Sequence, residues 1–150
     1  MERTLIICKP DCVNRMLVGE VLRRFESKGL RLVGMKLQQS PKPQVEKHYE
    51  VHKERPFYQS LVDFMTSGPV VVAVLEGPGA IAVVRNMLGA TDGRQAVPGT
   101  IRGDFGLDKQ FNLVHASDGP ETANFEIGLF FKPDELVTYQ RAADRWIVSA

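Results

Sequence analysis

The sequence has little sulfur, no long apolar run and almost no net charge, and each shortage excludes a class of protein. Two cysteines, Cys8 and Cys12, are too few for a disulfide framework. Standing four apart with no second pair, they also complete no zinc site. The longest clean apolar run, Val70 to Leu75, is far below the ~20 residues that span a bilayer. Met1-Glu2-Arg3-Thr4-Leu5 lacks the apolar stretch and cleavage site of a secretory leader, so the expected compartment is cytoplasmic, with no membrane partner. Lys plus Arg number 19 against 18 Asp plus Glu, a net charge of +1. That balance argues against a general nucleic-acid coat or an acidic tail, so no obligatory nucleic acid is expected. No G-x-x-x-x-G-K-[ST] run exists to cradle phosphate. Linkers, repeats and low-complexity stretches are also missing, which leaves one domain over residues 1–150.

What is present is ordinary soluble composition. Apolar residues make up 43%, too many for disorder to be the main state. A chain of 150 residues buries roughly 68–70% of its unfolded surface, so its core needs no metal or disulfide. Thr4 to Cys8 reads as a strand stopped by a turn at Lys9-Pro10-Asp11. Leu17, Val18, Val21, Leu22 and Phe25 have helical spacing, with Gly29 as the stop. Leu30 to Leu37 alternates as a second strand. Val45 to His52 reads as a short polar helix and Phe57 to Met65 as another. Val70 to Leu75 is a strand apolar on both faces, which places it centrally. Ala80 to Leu88 is a helix, and Gly89 to Asp108 a long ordered loop. Asn112 to His115 is a short strand. Asp118-Gly119-Pro120-Glu121 opens a helix that runs to about Phe131. Pro133 to Tyr139 reads as a last short helix. This order predicts an α+β, ferredoxin-like sandwich: a four-stranded antiparallel sheet covered by helices.

Some motifs fail on context. Gly77-Pro78-Gly79-Ala80-Ile81-Ala82 matches a dinucleotide turn, but the acid expected ~20 residues later falls in a loop, so the match reads as a plain strand-to-helix turn. His48-Tyr49-Glu50-Val51-His52 sets two imidazoles at i and i+4, yet Tyr49 stands where a zinc protease needs glutamate. The pair reads as a solvated helix face. Arg102-Gly103-Asp104 reads as a chance adhesion tripeptide.

The richest segment is Asn112-Leu113-Val114-His115-Ala116-Ser117-Asp118-Gly119. It sets a histidine at a strand end, just before a helix N-terminus that favours anions. Such a histidine is a general base, a metal ligand, a nucleophile, or a buried structural residue. Glu126, on the following helix, is placed to fix its tautomer and leave the other ring nitrogen free. Arg85, Arg102 and Lys9 supply cations suited to phosphate. Together these point to phosphoryl transfer through a phosphohistidine.

Over essentially its whole length the chain resembles the nucleoside diphosphate kinase family. The likeness rests on Glu2-Arg3-Thr4-Leu5 through Lys9-Pro10-Asp11, Leu17-Val18-Gly19-Glu20, Pro98-Gly99-Thr100-Ile101-Arg102-Gly103-Asp104-Phe105 and Asn112 through Asp118. Arg55-Pro56-Phe57 and Ser67-Gly68-Pro69-Val70-Val71 add to it. The resemblance implies ping-pong transfer of the terminal phosphate of a nucleoside triphosphate, typically ATP, to a nucleoside diphosphate. It implies His115 as the phosphorylated nucleophile through Nδ1, with Glu126 on the other nitrogen and Ser117 orienting the pair. Lys9 would contact the sugar hydroxyl and the moving phosphate, and Tyr49 would border the phosphates. Arg85, Thr91 and Arg102 would bind the phosphate chain and Asn112 the sugar hydroxyl. Phe57 would stack on the base with Leu61 beside it. Magnesium (Mg2+) would accompany the nucleotide, close to Asp118. It further implies a homo-oligomer, hexamer or tetramer, with contacts at the Pro98 loop and tail; Trp146 and Ile147 favour the hexamer.

The chain departs from the family pattern at several points. Cys12 stands where the family has glycine. Ala116 and Gly119 stand where glycine and serine are usual. Lys109-Gln110-Phe111 replaces a segment whose first residue packs on the base opposite Phe57. None of these removes a residue of the chemistry.

Overall fold

The computed structural model describes residues 1–149. In chain order its elements are β1 (Glu2–Cys8), α1 (Pro10–Asn14), α2 (Val18–Lys28), β2 (Arg31–Gln38), α3 (Lys42–His48), α4 (Tyr58–Met65), β3 (Val70–Gly77), α5 (Ala80–Leu88), α6 (Ile101–Phe105), β4 (Val114–Ala116) and α7 (Pro120–Phe130). The four strands form one antiparallel sheet in the order β2-β3-β1-β4. β3 is central and buried along its whole length, as its unbroken apolar run requires. No helix among the described residues is long and apolar enough to cross a membrane.

Strand alternation sorts the side chains into two cores. On one face Ile6, Cys8, Ala73, Leu75, Val114 and Ala116 pack under Val21 and Phe25 of α2, Val84 and Leu88 of α5, and Ile101 of α6. On the other, Leu5, Ile7, Val72 and Val74 pack under Val45 of α3, Val62 and Met65 of α4, and Phe130 at the end of α7. Ile7 pairs directly with His115. Because neighbours along a strand face opposite ways, Val114 and Ala116 enter the first core and His115 turns toward α3 and α7. α2 ends where Gly29 adopts φ +110°, and Leu30 N–H closes the cap on the Phe25 carbonyl at 3.2 Å.

The structure departs from the local sequence pattern in five places, one being the strand expected over Asn112 to His115, which is Val114–Ala116 because Leu113 adopts a left-handed φ of +77°. The turn expected at Lys9-Pro10-Asp11 is the start of α1, with Pro10 at a first-turn position where its missing N–H costs nothing. The Gly89–Asp108 loop contains α6, whose N-cap Thr100 accepts from Gly103 N–H at 2.9 Å. The helix expected over Val45 to His52 starts earlier, at Lys42, and breaks at Tyr49 into a separate 3₁₀ turn, Glu50–His52. The helix expected over Pro133 to Tyr139 is one 3₁₀ turn, Pro133–Glu135. Beyond it the chain meets β2 through Val137 N–H on the Val33 carbonyl at 2.8 Å. Arg31 then ties the tail down, reaching Glu76 at 2.8 Å and Asp144 at 2.9 Å.

Two glycines separate backbone crowding from helix propensity. A Cβ at Gly103 would lie 2.0 Å from the Val97 carbonyl oxygen, while one at Gly128 in α7 meets nothing within 4 Å. Gly103→Ala should therefore destabilise by at least about 2 kcal/mol through forced backbone movement. Gly128→Ala should stabilise by about 0.5–1 kcal/mol. Thermal unfolding of both variants at one protein concentration checks the opposite signs.

Candidate active site

α7 carries its charge inward: Glu126 is buried and three side chains converge on its carboxylate. Ser117 Oγ, just past β4, donates to Oε1 at 2.5 Å. His115 donates from Nε2 to Oε2 at 2.7 Å. His48, at the end of α3, also donates from Nε2 to Oε2. An ionised carboxylate only accepts, so both imidazoles carry their proton on Nε2. Burial alone would raise the Glu126 carboxyl, but the bonds from His115 and His48 overcome it and hold the group well below the usual carboxylate range. Burial likewise lowers His48, which keeps it a neutral donor. The Ser117 hydroxyl is itself fixed, accepting from Leu5 N–H at 3.4 Å.

His48 is the member of this cluster that the sequence pattern hides. It is buried beside Val45, three residues back on the same helical face. Pairing it with His52 misreads the helix, which ends at His48; His52 lies instead 5.4 Å from the Phe57 ring. The usable signal was the Val45–His48 spacing, which sets a histidine in an otherwise apolar position.

A cavity of about 450 Å³ opens beside this cluster, lined by His115, Tyr49, Arg85, Asp118, Glu121 and Glu126 among others. The His115 side chain is 23% exposed there. Arg85, on α5, donates to the Ala116 carbonyl at 3.1 Å and so faces the strand that carries His115. Burial, then the Glu126 charge, push the Tyr49 phenol above its usual range, so it is a neutral hydroxyl. A second cleft of about 680 Å³ lies between Phe57 and Leu61 on one side and Thr91, Lys109 and Gln110 on the other.

Lys9, Asn112 and Arg102 line neither hollow but are bonded to the elements that do. Lys9 Nζ donates to Asn112 Oδ1 at 2.5 Å and to the Gln110 carbonyl at 2.8 Å. Asn112 Nδ2 donates to the Thr91 carbonyl at 2.9 Å. Arg102 spends its fork on backbone, reaching the carbonyls of Asn112 at 3.2 Å, Gly89 at 3.1 Å and Val114 at 2.6 Å. Two of its five N–H groups remain for an anion. Burial lowers Lys9 to about 8, with Asp11 opposing the fall and Arg102 adding to it. Burial and then Arg85 lower Arg102 to about 10, so it stays cationic at neutral pH.

His48, His115 and Glu126 bring three ligand-type atoms within 4.8 Å of one another. The His115–Glu126 contact is of hydrogen-bond length, so a proton rather than a cation fills it. Hard oxygen donors suited to magnesium lie instead at Asp118 and Glu121, on the wall of the smaller cavity.

The family model described as nucleoside diphosphate kinase matches residues 2–136. A nucleoside diphosphate kinase of Thermomicrobium roseum is 60% identical over 148 residues, 99% of each chain. One from Pyrococcus horikoshii is 58% identical over 146 residues, 95% of this chain and 93% of that one. Among solved structures, a nucleoside diphosphate kinase family protein from Babesia bovis superposes with a TM-score of 0.96 at 48% identity, covering 99% of this chain and 100% of that one. A halophilic nucleoside diphosphate kinase from Halobacterium salinarum, in complex with CDP, gives 0.96 at 45% identity over 99% of each chain.

The depressed Glu126 carboxyl makes a stability test. A folded-state value below the ordinary 4.5 stabilises the fold fully above 4.5, and that stability is lost as pH falls through the folded value. Glu126→Gln should cost about 1.5–3 kcal/mol at neutral pH, the usual worth of hydrogen bonds made to a charged group. The gap to wild type should close progressively below 4.5. Thermal melts of both proteins from pH 7 to 3 measure it.

Proposed function

The chain belongs to the nucleoside diphosphate kinase family and moves the terminal phosphate of a nucleoside triphosphate to a nucleoside diphosphate; we propose that it does so in two half-reactions through a phosphohistidine at His115. The observation that carries this is the His115 Nε2–H bond to Glu126, which leaves the lone pair on Nδ1. That nitrogen attacks the terminal phosphorus. The N–P bond forms, the bond to the bridging oxygen breaks, and the diphosphate leaves with the electron pair. A second diphosphate then takes the phosphoryl group by the reverse displacement, regenerating the free imidazole.

The remaining residues bind and orient. Arg85, Arg102 and Thr91 hold the phosphate chain, with Tyr49 at its border. Lys9 meets the sugar hydroxyl and the moving phosphate, and Asn112 the sugar. Phe57, 48% exposed, offers its face to the base with Leu61 beside it. Stacking tolerates any base, which suits an enzyme serving several nucleotides, with ATP the typical donor. Lys109 lines the opposite wall and lays its methylene stem along the base. Magnesium, held near Asp118 with the nucleotide, would offset charge on the phosphates.

The working form is a homo-oligomer, a hexamer rather than a tetramer, and its compartment the cytoplasm. Trp146, 77% exposed on the tail, and Val97 beside Pro98 offer apolar surface for subunit contacts.

Incubation with γ-labelled ATP and no acceptor should leave an acid-labile, base-stable label on the wild type and none on His115→Ala. Initial-rate lines should be parallel. A label on Ser117, or intersecting lines, would overturn the mechanism.

The lowered Lys9 predicts a pH dependence. Its cation is lost as pH rises through about 8 in the free protein. ADP affinity should therefore fall roughly tenfold per pH unit above that value, up to the higher value in the bound state. Lys9→Gln should bind more weakly and show no such slope. Titration calorimetry from pH 7 to 9.5 reads both.

A further inference from the structure

Two imidazoles, not one, reach Glu126 Oε2, and the phosphohistidine mechanism uses only His115. His48 comes from a different element, α3, and is buried. Its ring lies 4.2 Å from Tyr49 and edge-on to Phe130 at 5.4 Å, so packing locks its orientation. It meets the His115 ring edge-to-face at 4.8 Å, the arrangement left when both nitrogens converge on one oxygen.

Resting on the phosphohistidine reading, we propose that His48 is a positioning residue for phosphoryl transfer: by donating Nε2–H to Glu126 Oε2 it fixes the carboxylate that holds His115 with Nδ1 unprotonated. Without that donor, Oε1 remains bonded to Ser117, but Oε2 keeps only His115, and the carboxylate gains freedom to rotate about the Ser117 contact. The His115 ring then loses its angular constraint, and the tautomer carrying its proton on Nδ1 becomes accessible. That tautomer has no lone pair on the attacking nitrogen. A neutral donor is what the place requires. A cation there would compete with His115 for the Glu126 charge and repel an imidazolium forming beside it.

His48→Leu keeps bulk and removes the donor, while His48→Gln keeps an N–H donor. Single-turnover phosphorylation by ATP, ADP binding, and ¹⁵N spectra of the imidazole rings separate positioning from packing. His48→Leu should phosphorylate about tenfold to hundredfold more slowly, the range seen when an outer hydrogen-bond partner is lost. ADP binding should stay within about twofold, because His48 is not proposed to touch nucleotide. His48→Gln should recover most of the rate. In the wild type both rings should carry Nε2–H, and in His48→Leu the His115 signals should shift toward a mixture of tautomers. Equal rates in His48→Leu and wild type would overturn the proposal, as would His48→Gln falling as far as His48→Leu. If His48→Leu does not fold, the wild-type spectrum still decides, since a His48 ring protonated on Nδ1 alone has no proton for Glu126. A wild type that forms no phosphohistidine would overturn the reading beneath, while the same spectrum would still test the His48–Glu126 bond.

Discussion

Glu126 is a buried negative charge, and a buried charge persists only where it is fully hydrogen-bonded. Its partners come from three separate places: His48 at the end of α3, His115 on β4 and Ser117 just after it. One carboxylate therefore ties the helix that enters the second core to the sheet edge, and binds both to α7. The dependence is mutual. Ser117 is held by the Leu5 backbone and His48 by Tyr49 and Phe130, so Glu126 receives donors already fixed by the core. The cluster is thus an extension of the packing, which limits the motion of the His115 ring before any nucleotide arrives.

A second constraint delivers His115 to this cluster. Strand alternation turns it toward α3 and α7 only if β4 starts in the right register, and β4 is just three residues long. The register is fixed from outside the strand. Leu113 sits at φ +77°, a left-handed conformation uncommon for a non-glycine residue. It is held by Asp11 Oδ2, which accepts from its N–H at 3.0 Å, and by Lys9 N–H, which donates to its carbonyl at 2.9 Å. Arg102 grips the carbonyls of Asn112 and Val114 on either side. Beside any charge they offer to phosphate on the proposed reading, the residues around α1 and α6 set the turn that aims His115.

How much of this could be read from sequence follows from which interactions are local. α5 was legible because its apolar periodicity matches its burial over nine residues, and β3 because the unbroken run Val70 to Leu75 matches a strand buried on both faces. α1 and α6, five residues each, are too short for a period to show; a proline at the first turn and a threonine cap start them instead. His115 stood out because the sequence reads it at a strand end just ahead of a helix start, although it is the middle residue of β4, and Glu126 because it is the nearby carboxylate on that helix. His48 did not, since its meaning lies 78 residues away in the bond to Glu126. Adjacent His52 offered a false local partner. The family likeness placed Arg102 at phosphate, but only the fold shows that three of its N–H groups are committed to backbone.

The cations of the site show why such an arrangement is tolerated. Lys9 is buried with no carboxylate in hydrogen-bond contact; its acceptors are the Asn112 amide oxygen and the Gln110 carbonyl. Moving its pKa from 10.5 to about 8 corresponds to a cost of a few kcal/mol for keeping the charge in the folded state. Arg102 lies within the field of Arg85, which adds to the cost. A fold selected only for stability would pair these groups with acids or replace them with apolar residues. Here the acids nearest the His115 cavity, Asp118 and Glu121, stand on its wall, and Glu126 is already occupied by His48, His115 and Ser117. Lys9 and Arg102 are left under-compensated, and on the proposed reading an incoming polyphosphate would supply the missing negative charge. Part of the folding cost would then return as binding free energy, most strongly where phosphate charge is greatest.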